Sequence, residues 1–220
     1  MHTNFLTASG RLIDTVKDVN LTIEDVAKAL AFTFRYRTQC NSFISVTDHS
    51  HLVYKIIKHK HPKDYMTQLV GLLHDTEEAI TGDIPSGVKT MLNSTVGGRL
   101  ELTLDVINSE MVSNLVGRER IILSYTPSIK IADELAFMIE VLSMDKHDAY
   151  RDNMLNFIKG NEELMYLHEM VITDPVLQSF VDLRKLDDRA YESNFIETAY
   201  DSMLLFTETF TYLLNKIKEV

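Results

Sequence analysis

Between His49 and Asp83 the chain gathers side chains that apolar helices normally exclude. His49-Ser50 precedes the run Leu72-Leu73-His74-Asp75-Thr76-Glu77-Glu78-Ala79-Ile80-Thr81-Gly82-Asp83-Ile84-Pro85. A histidine beside an aspartate, at the end of an apolar stretch and trailed by further carboxylates, poses an electrostatic problem. An unpaired buried charge is costly unless it titrates to its neutral form. A single divalent cation would settle these groups together. His49, His74, Asp75 and Asp133 form the candidate ligand set. Asp133 joins it because it interrupts the apolar face Ile131-Ala132-Asp133-Glu134-Leu135-Ala136. Imidazole nitrogens and carboxylate oxygens suit Mn, Co, Fe, Zn or Mg, and no thiolate narrows that choice. The bland alternative is that a helical histidine is simply packed or at the surface, and His51, His59 and His61 are read that way.

Several helices must deliver these ligands. Thr22, three residues before Asp25, opens a helix from about Ile23 to Arg35, with Val26, Ala27, Leu30 and Phe34 on one side. Thr47 is the expected N-cap of the next, which carries His49 in its first turn and the stripe Leu52, Val53, Ile56 and Ile57. Pro62 and Asp64 start a third, nearly apolar all round through Leu73 and ending at Gly82 and Pro85. On it His74 and Asp75 would diverge by roughly 100°. Residues 86–92 can form one or two helical turns, Asn93 to Gly98 reads as a loop, and a helix from about Arg99 to Val116 stops at Gly117. Thr126-Pro127 opens the helix bearing Asp133, which runs to about Met144. Shorter helices broken at Gly160 and Pro175 follow. The last helix is placed from about Glu192 to Ile217, with Phe195, Ala199, Met203, Phe206, Phe210, Leu213 and Leu214 on one side. Residues 3–20 look irregular, apart from a turn at Gly10 and a short extended piece at Arg11 to Asp14. The expectation is an all-α single domain of seven to ten helices, with a core over about 22–145 and a helical extension over 146–220.

Composition limits the partners. The 220 residues are 45% hydrophobic and 25% charged, ordinary values for a globular chain. A formal net charge of −10 disfavours a nucleic-acid polymer, but a small phosphate ligand needs only a local cationic cluster. Cys40 is the one cysteine, so no disulfide framework or zinc-finger spacing exists. No apolar run approaches the roughly 20 residues of a membrane span, and no signal peptide is apparent. A cytoplasmic protein is expected.

Taken together, Ser45-Val46, His49-Ser50, Gly71-Leu72-Leu73-His74-Asp75, Glu78, Thr81-Gly82-Asp83-Ile84-Pro85-Ser86 and Lys89 closely resemble the HD-domain metal-dependent phosphohydrolases. The branch is the YfbR-like 5′-deoxynucleotidases and their phage relatives, which include dATP triphosphohydrolases. Thr7 to Gly10, Ile13-Asp14, Ile23 to Leu30 and Arg35-Tyr36 are similar to the phage-type members. Lys130-Ile131-Ala132-Asp133, with Ala136 and Glu140, is similar to the family's closing aspartate helix. The likeness runs from about residue 3 to 145.

The resemblance implies a deoxynucleotide phosphohydrolase, acting as a monophosphate 5′-nucleotidase, a triphosphohydrolase or both, in the host cytoplasm if phage-encoded. Its metal ligands fall on His49, His74, Asp75 and Asp133. Glu78 matches the acid that handles the attacking water, and Asp83 a second acid that contacts the sugar or assists the leaving group. Arg35 and Tyr36 match a pair lining the nucleotide pocket, Lys89 offers a further phosphate contact, and a homodimer or higher homo-oligomer is expected. Glu77 is assigned to solvent. Each role has a plain rival: Glu78 as half of a solvated pair, Asp83 as a turn residue, Arg35 as a surface ion-pair partner. Two other functions compete, alarmone (guanosine tetraphosphate) hydrolysis and a non-catalytic HD scaffold. Thr47-Asp48, Tyr36 and Gly87 depart from the family pattern, which has Ala-Glu or Ser-Glu, Phe or Trp, and proline at these places.

Overall fold

The computed structural model describes residues 4–14, 19–38, 40, 43–117 and 127–219, with the backbone alone for 37–38 and 186–195. The chain is 75% helical, which bears out the all-α expectation. Strands β1 (Asn4–Leu6) and β2 (Leu12–Asp14) pair antiparallel across a turn at Gly10, so the extended piece finds its partner in a stretch read as irregular.

Helix α1 (Ile23–Ala31) begins as expected, with the Thr22 side chain accepting from the Asp25 amide. It stops four residues early, because the chain turns extended at Phe34, bridges to Ser45 and tightens into a 3-10 turn at Arg35–Thr38. Helix α2 (Val46–Lys60) is capped by Ser45, not Thr47. The reason is a reciprocal box: Ser45 Oγ accepts from the Asp48 amide, and the Asp48 carboxylate accepts from the Ser45 amide. Helix α3 (Tyr65–Leu72) starts at its Asp64 cap and ends before His74; a turn at 73–77 leads to the short α4 (Glu78–Thr81). The single long helix expected here is therefore broken, and Thr76 Oγ1 donates to the Leu73 carbonyl at the break. Helix α5 (Ser86–Thr95) consumes much of the expected loop, and α6 (Arg99–Val116) ends at Gly117 in a left-handed conformation, as anticipated.

Helix α7 (Pro127–Ser143) carries Asp133; the proposed start at Thr126 lies outside the described residues. Helices α8 (Ala149–Lys159) and α9 (Glu162–Thr173) break at Gly160 and before Pro175, as read. The last helix, α10 (Pro175–Lys218), is far longer than expected: Asp174 caps it, Pro175 opens it, and it spans 44 residues, about 65 Å at 1.5 Å per residue.

Two large apolar clusters build most of the core, with α2 between them, and a small third one joins Cys40, Ile44 and Met144. Val46 and Tyr54 join α1, α3, α6 and the Phe206–Phe210–Leu213 part of α10. Leu52, Val53, Ile56 and Ile57 join α7, α8, α9 and the Leu177–Val181 part of α10. With both flanks covered, α2 puts His49 in the interior, and α10 spans both clusters. A polar clamp ties the two helices: the Ser202 hydroxyl donates to Asp48 Oδ1 at 2.8 Å, lies 2.8 Å from Thr47 Oγ1, and His51 Nε2 lies 3.1 Å from Thr209 Oγ1.

Candidate metal centre

Three elements meet beside the first turn of α2. His49 is fully buried there, His74 sits in the turn after α3, and Asp133 comes from α7. One ligand atom from each lies within 4.8 Å of the others, a group that could hold a metal ion. His49 Nε2 is 2.9 Å from Asp133 Oδ1, and His74 Nε2 is 3.8 Å from the same oxygen. Asp75 stands against this trio, its Oδ2 3.1 Å from His74 Nε2 and 3.8 Å from His49 Nε2. The helix break, not divergence around an intact helix, lets neighbours His74 and Asp75 approach one point.

The far nitrogens fix what these rings offer. His74 Nδ1 donates to the Gly71 carbonyl at 2.9 Å, and His49 Nδ1 lies 2.9 Å from Glu140 Oε1. Both partners are acceptors, so each Nδ1 carries the proton and each Nε2 faces the carboxylates. Neither buried Nε2 has a partner in hydrogen-bond geometry. A cation would satisfy both at once, and protons compete with it for these positions. Burial opposes protonation of His74, but Asp75 and Asp133 outweigh it and raise its pKa well above the usual value. Burial and the Arg35 charge oppose protonation of His49, yet Glu140 and Asp133 prevail and raise its pKa too. Burial would raise Asp75 and Asp133; the two imidazoles instead hold both below the ordinary carboxylate range. A nitrogen–oxygen donor set with orphaned, oriented imidazoles fits a borderline divalent ion.

Glu140 is the residue that sequence reasoning passed over, noting it only within the family likeness. It is fully buried and accepts from Tyr36 OH at 2.6 Å and Arg35 Nε at 3.3 Å, besides facing His49. Burial pushes its pKa up, but Arg35 and His49 bring it down to about 2. It lies seven residues after Asp133, two turns along the same face of α7, and like Asp133 it interrupts apolar sequence. That was the available signal. Tyr36 reaches Glu140 from a left-handed backbone, φ 60°, unmatched by any other described non-glycine residue. Such a conformation costs about 1–3 kcal/mol and persists only where its surroundings enforce it. Arg35 Nη1 also lies 3.9 Å from Asp75 Oδ2, so Arg35 is no surface residue.

A cavity of about 960 Å³ opens over the cluster, and Arg35, Tyr36, Asp75, Glu78, Asp83, Lys89 and Asp133 all line it. Every proposed site residue except the buried rings of His49 and His74 therefore borders one space. Glu78 is 3% exposed; Lys89 Nζ donates to its Oε1 at 3.4 Å, while Oε2 has no partner. Burial first, and then Asp75, push Glu78 up to about 9. Glu77 corrects its assignment: at 6% exposure it is buried, and burial and Asp75 push it up to about 8. The helix break turns it inward to border the same cavity. Asp83 is half-buried, and burial raises its pKa. Among the described residues no helix is long and apolar enough to cross a membrane. No protein-family model and no curated protein matches this chain.

Proposed function

We propose that the chain is an HD-type, metal-dependent phosphohydrolase of deoxynucleotides. The observation that carries this reading is the shared cavity: Asp133 of the His/His/Asp cluster, Asp75 beside it, the cationic Arg35 and Lys89, and the buried Glu78 all border the same space, with His49 and His74 directly behind the two aspartates. His49, His74, Asp133 and Asp75 would hold the ion. When bound, it supplies Lewis acidity toward a phosphate oxygen and toward water.

The chain's own residues divide the remaining work. Arg35 and Lys89 offset charge on the phosphoryl oxygens as the ester or anhydride bond breaks. Glu78 holds or gives a proton at Oε2, while Lys89 fixes its other oxygen. Asp83, at the cavity rim, contacts the sugar or the leaving group. Tyr36 and Glu140 keep Arg35 and His49 in place. The test is incubation of metal-loaded protein with all four deoxynucleoside monophosphates and triphosphates, following release of phosphate or triphosphate. Metal-dependent release from at least one of them is expected. A protein that binds metal but releases neither product would be a non-catalytic scaffold.

A further inference from the structure

The same cavity has a second pole with different chemistry. Tyr150, Met154 and Phe157 line it from α8 at spacings of four and three, which places them on one face of that helix. Phe137 joins them from α7, one turn beyond Asp133. Ile158 is the one buried residue of α8; Tyr150, Met154 and Phe137 are half-buried with one side against the core, and Phe157 is 60% exposed, so the stripe keeps surface for the cavity. Tyr150 is braced edge-on against Tyr36, with ring centroids 5.6 Å apart, which links the stripe to the Arg35 pole. A free phosphate would use only a fraction of so large a cavity. A ligand that is anionic at one end and flat and apolar at the other would use both poles.

We infer that Tyr150, Met154 and Phe157 of α8 form the wall on which the nucleobase of a mononucleotide stacks while its phosphate lies at the Arg35–Lys89 pole. This deepens the proposed function and rests on it. Aromatic side chains stack on bases through their π-faces, which fits a wall made of two aromatic rings and a thioether.

The test is calorimetric titration of the full chain without added metal, so that no ligand is consumed. The probes are deoxyadenosine monophosphate and 2-deoxyribose 5-phosphate, which keeps sugar and phosphate but lacks the base. The wild type is expected to bind the nucleotide at least about fivefold more tightly, the lower end of a stacking contribution. Phe157→Ala, at an exposed position that leaves the core intact, is expected to remove most of that difference by weakening the nucleotide alone. Equal affinities in the wild type, or a variant that weakens both probes alike, would overturn the wall and leave the phosphohydrolase reading standing. Binding of neither probe would overturn the wall together with the metal-independent phosphate pole at Arg35 and Lys89, while the phosphohydrolase reading is decided by the product-release assay.

Discussion

Helix α2 carries two buried histidines two residues apart, and the two sides of the helix treat them in opposite ways. His49 faces Asp133, Asp75 and Glu140, and its pKa is raised despite burial. His51 packs edge-on against Phe206 and touches Thr209, and burial, followed by the Lys55 charge, lowers its pKa to about 4. Residue type, helix and burial are shared; the difference lies in what the neighbouring helices present. The α7 side supplies carboxylates and leaves a ring that could ligate a cation, whereas the α10 side supplies a ring and a hydroxyl and makes a packing residue. What sets His49 apart is chiefly a pair of α7 acids more than 80 residues away in sequence, with Asp75 nearer at hand.

The largest expected effect tests the site side. Glu78→Ala should lower kcat by about 10²- to 10⁴-fold, the usual worth of a positioned proton-transfer group, with metal affinity unchanged by titration. A near-wild-type rate would end the role given to Glu78. Next comes pH, which should drive the two sides apart in metal-free protein. His51 has a folded pKa below its unfolded value, so its stability is present above about 6.5 and is lost as pH falls toward about 4. That loss is at most roughly 3 kcal/mol, measured by urea denaturation, and His51→Gln should remove this pH dependence. His49 and His74 have raised folded pKa values, so their stabilisation is full below about 6.5 and fades as pH rises through those values. Metal affinity should correspondingly climb with pH, as the ion displaces those protons.

Glu140→Gln keeps an acceptor for His49 but removes the charge that Arg35 and Tyr36 share. A fall in metal affinity of about 10- to 100-fold is expected, the range found when a partner behind a metal-binding histidine is altered. An unchanged affinity would show that Glu140 serves the fold alone. The smallest effect belongs to the core side: Thr209→Val should cost about 1 kcal/mol by denaturation, with metal affinity untouched.

Much of this was legible before the fold was known, and the reasons are local. Thr22 with Asp25, the stop at Gly117 and the break at Pro175 are local signals, which act within a few residues. Asp133 stood out as an acid in an apolar face, and Glu140 carried the same mark without being followed up. What escaped depends on distant contacts. The break after α3 has neither glycine nor proline at 73–77, and it is this break that buries Glu77. The early part of α10 was missed because residues 182–194 are rich in charge and show no apolar stripe. Phe195, placed on the core side of that helix, is a side chain outside the described set, but Ala199, Phe206, Phe210 and Leu213 are buried as expected. The proposed α8 wall lies outside residues 3–145, and in the sequence its Tyr150, Met154 and Phe157 stand among polar neighbours such as Arg151, Asp152, Asn153 and Asn156.

The clamp between α2 and α10 joins residues more than 150 positions apart in the chain. Asp48, adjacent in sequence to His49, is held by Ser202, and His51 by Thr209. A chain still short of Ser202 already contains every proposed metal ligand, Arg35 and Lys89, and the proposed α8 wall. It lacks the part of α10 that closes the first apolar cluster and braces the helix carrying His49. Bracing of the helix that presents His49 therefore depends on Ser202 and Thr209, which are made long after the site residues themselves.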